Sequence, residues 1–159
     1  MLKYTGTAVT FSEVPDEITL CINISNCPCH CEGCHSSYLA GDIGKPLDWS
    51  SLNALIHINH GITCIAFMGG DADPKQVNEL ARHVKQEGLK TCWYSGRQEL
   101  SKEIHIGYFN YIKLGPYNKD LGPLNSKTTN QRMYKVILTH YEDGRSGYEL
   151  EDITYKFWK

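Results

Sequence analysis

Cys27, Cys29, Cys31 and Cys34 fall within one short run, Cys27-Pro28-Cys29-His30-Cys31-Glu32-Gly33-Cys34. Three of them, Cys27, Cys31 and Cys34, read C-x3-C-x2-C, a spacing that suits one iron-sulfur cluster. Three thiolates from a single loop can hold three irons of a four-iron cluster and leave the fourth iron open, whereas an electron-carrier cluster normally takes four cysteines. An open iron is a place for chemistry. The spacing also admits a structural zinc site, which needs four ligands and could recruit Cys29, His30 or His35.

The elements that must position this loop are visible in the apolar pattern. Thr7 to Phe11 is strand-like, and Ile18 to Ile24 is β-rich and leads directly into the cysteines, which puts the loop at that strand's C-terminal end. Leu47 to Ile58 reads as a helix opened by Asp48, Trp49 and Ser50. Ile62 to Met68 reads as a strand closed by Gly69 and Gly70. The next helix has Asp73 as N-cap, Pro74 at its first position and Gln76 as capping-box partner, with an apolar stripe of Val77, Leu80, Ala81 and Val84 and a stop at Gly88. Lys90 to Tyr94 resumes as strand, so 62–94 forms a β-α-β unit expected to cross right-handed. Tyr111 to Leu114 is a further strand stopped by Gly115 and Pro116, Tyr117 to Arg132 is a long loop, and strands are expected at Met133 to Thr139 and Ile153 to Trp158. Cys21, Cys64 and Cys92 lie inside apolar strands and are expected in the core, where free cysteines behave as small hydrophobes.

The chain has 159 residues, 41% apolar and 21% charged, which allows a single domain over 1–159 with a real core. The net charge of -2 speaks against a phosphate-driven grip on nucleic acid, which needs clustered Lys and Arg. Met1 to Leu20 lacks the pattern of a leader, and no run approaches the ~18 apolar residues of a membrane span. Seven cysteines, four of them packed together, suit a disulfide framework poorly, so a reducing, cytoplasmic setting is expected.

The cysteine loop after the first main strand, the Gly69-Gly70-Asp71 turn after the second, and the order of elements around them resemble the radical S-adenosylmethionine (SAM) enzymes. Gly33 before the last cysteine, the short chain, and the stretch Gly122-Pro123-Leu124-Asn125 through Thr129-Asn130-Gln131-Arg132 resemble, more narrowly, the activating proteins of anaerobic ribonucleotide reductases. The resemblance runs from the first strand to Arg132 and is most specific at the cysteines. It implies an α/β fold, a partial (βα)6 barrel, with a 4Fe-4S cluster held by Cys27, Cys31 and Cys34 and SAM at the C-terminal ends of the strands. It implies that one electron breaks SAM into methionine and a 5'-deoxyadenosyl radical, which takes a hydrogen from a backbone glycine of the reductase large subunit. The electron would come from an external donor such as flavodoxin. Activation of a pyruvate formate-lyase type enzyme is the alternative within this chemistry, and a non-catalytic zinc-stabilised interaction domain is the alternative outside it.

Residue by residue, the resemblance implies that Gly69 and Gly70 bring bare backbone to the SAM amino group, with Asp71 beside them, and a plain strand-to-helix turn is the competing reading. Family members often continue directly with proline, whereas here Ala72 and Asp73 intervene before Pro74. Tyr94 and Ser95 would line the SAM pocket while Trp93 packs in the core. Lys113 would meet the SAM carboxylate, against the alternative of a lysine reaching solvent. Asn130, Gln131 and Arg132 would contact SAM or the partner, and His35 would pack near the cluster. Cys29 is expected to point away from the cluster, because a triad drawn through it, C-x-C-x4-C, does not match the family.

Overall fold

The computed structural model describes residues 1–158, and Lys159 lies outside them. Eight strands form one mixed sheet: β1 (Lys3–Thr10), β2 (Thr19–Ile24), β3 (Lys45–Pro46), β4 (Cys64–Met68), β5 (Lys90–Tyr94), β6 (Tyr111–Leu114), β7 (Arg132–His140) and β8 (Ser146–Asp152), in the order β3-β1-β2-β4-β5-β6-β7-β8. The four central strands, β2, β4, β5 and β6, run parallel, while β1 and β7 flank them antiparallel. The partial (βα)6 barrel expected from the resemblance is therefore corrected: among the described residues the fold is an eight-stranded mixed sheet with only two α-helices. The reason lies in the connections. After β6 the chain enters a loop rich in Gly, Pro and Asn and returns antiparallel, without the helix a further parallel strand would require.

Both helices pack against one face of the sheet. Helix α1 (Trp49–Ile58) starts with a reciprocal capping box, in which the Ser51 N–H donates to Asp48 Oδ1 at 2.9 Å and the Asp48 N–H donates to Ser51 Oγ at 3.0 Å. Helix α2 (Pro74–Gln86) starts with Pro74 behind Asp73, whose carboxylate accepts the Gln76 N–H at 3.2 Å. The Gln76 side chain does not complete the expected box. It accepts the Leu2 N–H at 2.6 Å and donates to the Leu47 carbonyl at 2.8 Å, tying the helix start to the N-terminal strand. Val77, Leu80, Ala81 and Val84 bury their stripe in one core with Ile22, Ile65, Phe67 and Trp93, each large apolar side chain contributing about 1.5–3 kcal/mol. Trp49 stacks on His83 at 4.8 Å and joins the two helices.

The other face of the parallel strands carries smaller side chains. Cys21, Cys64, Ala66 and Cys92 lie there, buried with Met133, Val14, Leu124 and Ile153, so the three strand cysteines are core residues as expected. The expected strand Ile153 to Trp158 is corrected: the last strand ends at Asp152, and Thr154–Phe157 forms a 3-10 turn folded back against this face. At the N-terminal end of the parallel strands the buried Glu17 carboxylate joins Lys90 at 2.5 Å and the Thr63 hydroxyl at 2.7 Å. Among the described residues no helix is long and apolar enough to cross a membrane.

Candidate metal centre

Because β2, β4, β5 and β6 are parallel, the segments leaving them gather at one end of the sheet. These are the cysteine loop after Ile24, Gly69-Gly70-Asp71 after β4, Ser95-Gly96 after β5 and Gly115-Pro116-Tyr117 after β6. The cysteine loop turns tightly, with Asn26, His30 and Gly33 at φ of 58°, 48° and 76°. It is fixed at its base by the Cys27 N–H donating to the Leu39 carbonyl at 2.9 Å. It also meets the loop after β6, where Lys119 pairs with Glu32 at 2.6 Å.

Cys27, Cys29, Cys31 and Cys34 are all free thiols of intermediate burial. Cys34 Sγ accepts the Ser36 N–H at 3.4 Å. Among the described residues no three His, Cys, Asp or Glu side chains converge as a formed metal cage. The donor set fits an iron-sulfur cluster: soft thiols from one short loop, partly shielded from water, with Cys34 on the wall of a cavity that Cys27 and Cys31 do not line.

That cavity, about 1200 Å³, opens on the face not covered by the helices. Cys34, His35, Tyr94, Lys113 and Gln131 line it, so the structure brings these expected site residues together. Tyr94 is fixed there by its hydroxyl, which donates to the Glu13 carbonyl, and burial pushes its phenol well above the usual range. Lys113 does not reach solvent. Its Nζ donates to the carbonyls of Gly115 at 2.7 Å and Ser95 at 3.1 Å, and burial lowers it from 10.5 to about 8, against the pull of Asp71 and the loop cysteines. Gln131 is 7% exposed and donates its backbone N–H to Thr129 Oγ1 at 3.0 Å.

Other expected site residues lie elsewhere. Ser95 is buried beneath the turn, and its hydroxyl donates to Asp71 Oδ1 at 2.5 Å. Asp71 Oδ2 accepts the Gly96 N–H at 2.8 Å and the Cys29 thiol at 3.6 Å. Burial first, then the charges of Asp71 and Cys27, push the Cys29 thiol up to about 12. Gly69 and Gly70, at φ of 119° and 102°, have a packing reason to be glycine. A Cβ on Gly69 would lie 3.0 Å from the Ile24 carbonyl oxygen, and one on Gly70 would lie 2.5 Å from Val77 Cγ2. Neither lines the cavity. Of the polar trio that enters β7, only Gln131 does: Asn130 donates to the Pro116 carbonyl at 3.1 Å, and Arg132, the first residue of β7, pairs with Asp152 at 3.7 Å.

Two walls of the cavity were not legible as site residues. Segment 11–16 contributes Phe11, Ser12, Glu13, Pro15 and Asp16, and the C-terminal turn contributes Lys156 and Phe157. Lys156 meets Asp16 at 3.5 Å, joining these two walls. The only hint in the sequence is Pro15-Asp16, a turn signal between two strands, with Asp16 at φ 66°.

Residues 18–114 match the family described as a 4Fe-4S single cluster domain. The match runs from the residue before β2 to the end of β6, more than half of the chain, and contains the whole cysteine loop. The chain belongs to this family and carries a 4Fe-4S cluster-binding domain. Comparison with curated proteins and with solved structures finds no match.

Proposed function

We propose that the protein is a radical SAM activase: it cleaves SAM reductively and removes a hydrogen atom from a backbone glycine of a partner enzyme, an anaerobic ribonucleotide reductase. The observation that carries this reading is the union of a three-thiol loop with a large cavity whose wall includes one of those thiols, a buried cation and a buried amide. Cys27, Cys31 and Cys34 are the cluster ligands. When bound, the cluster supplies single electrons and, at its thiolate-free iron, a position for the SAM amino and carboxylate groups.

The chain's own residues do the rest. Lys113 presents its ammonium to a carboxylate, held in place by two carbonyls that cannot themselves neutralise it. The Gln131 amide can donate and accept, which suits the edge of an adenine base. Tyr94, fixed through Glu13, forms a wall beside the cation, its ring centroid 6.0 Å from Lys113 Nζ. Asn130 and Arg132, engaged outside the cavity, are left to the loop scaffold and the partner's surface. Electrons come from an external one-electron donor such as flavodoxin.

A simple electron carrier is the competing reading, and it would use Cys29 as a fourth thiolate. The turn of Cys29 toward Asp71 favours the open iron. Anaerobic incubation of the reconstituted, reduced protein with SAM and the reductase large subunit tests the proposal. Methionine, 5'-deoxyadenosine and a glycyl radical signal on the reductase are expected. SAM recovered intact from a protein with a full, reduced cluster would overturn it.

A further inference from the structure

The cysteine loop offers four thiols, and a four-iron cluster accepts four. Nothing in the loop's sequence alone keeps Cys29 from closing the fourth iron, since it lies between two of the ligands. We infer that Asp71 is a positioning residue that withholds Cys29 from the cluster and thereby keeps one iron open. This rests on the reading that Cys27, Cys31 and Cys34 are the ligands.

Three observations carry the inference. Cys29 Sγ lies 3.6 Å from Asp71 Oδ2, a residue outside the cysteine loop. Asp71 is itself firmly held: it is 9% exposed, and it accepts the Ser95 hydroxyl on one oxygen and the Gly96 N–H on the other. Ser95 is held in turn, its oxygen accepting the Arg97 N–H at 3.1 Å. Finally, the space Cys29 occupies exists only because residue 96 has no side chain. A Cβ on Gly96 would lie 2.8 Å from Cys29 Sγ and 3.2 Å from its Cβ. A fixed acceptor and a fitted slot thus hold the fourth thiol, and both come from segments outside the loop.

Holding Cys29 and contacting SAM are two different roles for Asp71, and they separate in a rescue experiment. In Asp71→Ala, Cys29 is released and becomes the fourth thiolate, and the reduced cluster's electron paramagnetic resonance spectrum no longer changes when SAM is added. In Asp71→Ala with Cys29→Ala, the fourth thiol is gone and the SAM-dependent change returns. A double variant as blind to SAM as the single one would overturn the inference and leave Asp71 as a SAM contact. So would an Asp71→Ala protein whose spectrum still responds. Gly96→Ala supplies an independent route, because it evicts Cys29 while leaving the carboxylate; it should mimic Asp71→Ala, and its response should also be restored by Cys29→Ala.

The apoprotein provides a readout without cluster or SAM. Cys29 should be alkylated at least about tenfold faster in Asp71→Ala than in the wild type, since a freed thiol reacts and a slotted one does not. Equal rates would contradict the clamp. If the wild-type cluster itself ignores SAM, the proposed activity fails, while this comparison still decides whether Asp71 holds Cys29.

Discussion

Trp93 donates its indole N–H to the carbonyl of Gly69 at 2.8 Å, from a ring that is fully buried. The bond joins the end of β5 to the glycine turn after β4, so the core of the protein fixes the turn on which Asp71 stands. Trp93→Phe keeps most of the packing and removes the donor, leaving a buried carbonyl without its partner. A loss of about 1–3 kcal/mol is expected in denaturant melts. An unchanged melt would mean that water replaces the indole without cost.

Gly70 and Gly88 both have positive φ, 102° and 81°, yet they meet different surroundings. A Cβ on Gly88 meets nothing within 4 Å, whereas one on Gly70 meets Val77 at 2.5 Å. Gly88→Ala should cost about 1 kcal/mol, from the backbone conformation alone. Gly70→Ala adds a clash with helix α2 and should cost on the order of 3 kcal/mol. Equal effects in parallel urea melts would show that the helix start yields freely.

Lys113 makes stability depend on pH in a defined direction. Its folded value, about 8, lies below its ordinary 10.5, so between these values the unfolded chain binds more protons and stability rises with pH. Lys113→Met removes this rise. In the apoprotein, the stability advantage of the variant over the wild type should shrink by up to about 3 kcal/mol between about pH 7 and pH 11. Parallel pH profiles would show that Lys113 stays hydrated. In the reconstituted protein the same variant should weaken SAM binding at least about tenfold, the value of one charge-assisted hydrogen bond.

The seven cysteines should separate by reactivity. Burial pushes Cys64 up to about 12 and Cys92 well above its ordinary value, and Cys21 is raised as well. Brief alkylation of the apoprotein followed by mass spectrometry should label Cys27, Cys31 and Cys34 first and Cys29 more slowly. Cys21, Cys64 and Cys92 should remain unmodified until the protein unfolds. Early labelling of Cys92 would contradict the packing of the sheet face it occupies.

Much of the sheet was legible because its central strands are buried on both faces. The runs at β2, β4, β5 and β6 are nearly continuous in apolar residues, and Asp73-Pro74 marks a helix start without ambiguity. β8 was not legible. Ser146–Asp152 reads SGYELED, an edge strand exposed along most of its length, and nothing in its polarity separates it from a loop. Ile153 to Trp158 misled in the opposite sense: its aromatic and branched residues suit a strand, but Ile153 and Phe157 pack as a turn against the cavity face. The number of strands in a barrel is set by connections as much as by strands, and the residues after Leu114 contain no helical stripe. At the site, the thiol spacing and Lys113 in an apolar strand were visible as chemistry. The engagement of Cys29 by Asp71 was not, since it depends on the register of β4 beside β5 and on the space left by Gly96.

In the proposed function, three thiolates hold a four-iron cluster with one iron open to SAM. The most direct measurement is the electron paramagnetic resonance spectrum of the anaerobically reconstituted, reduced protein before and after SAM is added. A four-iron signal that SAM perturbs is expected, lost in Cys27→Ala, Cys31→Ala and Cys34→Ala but not in Cys29→Ala. A four-iron signal that is indifferent to SAM and disappears in Cys29→Ala, or a protein that takes up zinc in place of iron, would contradict it.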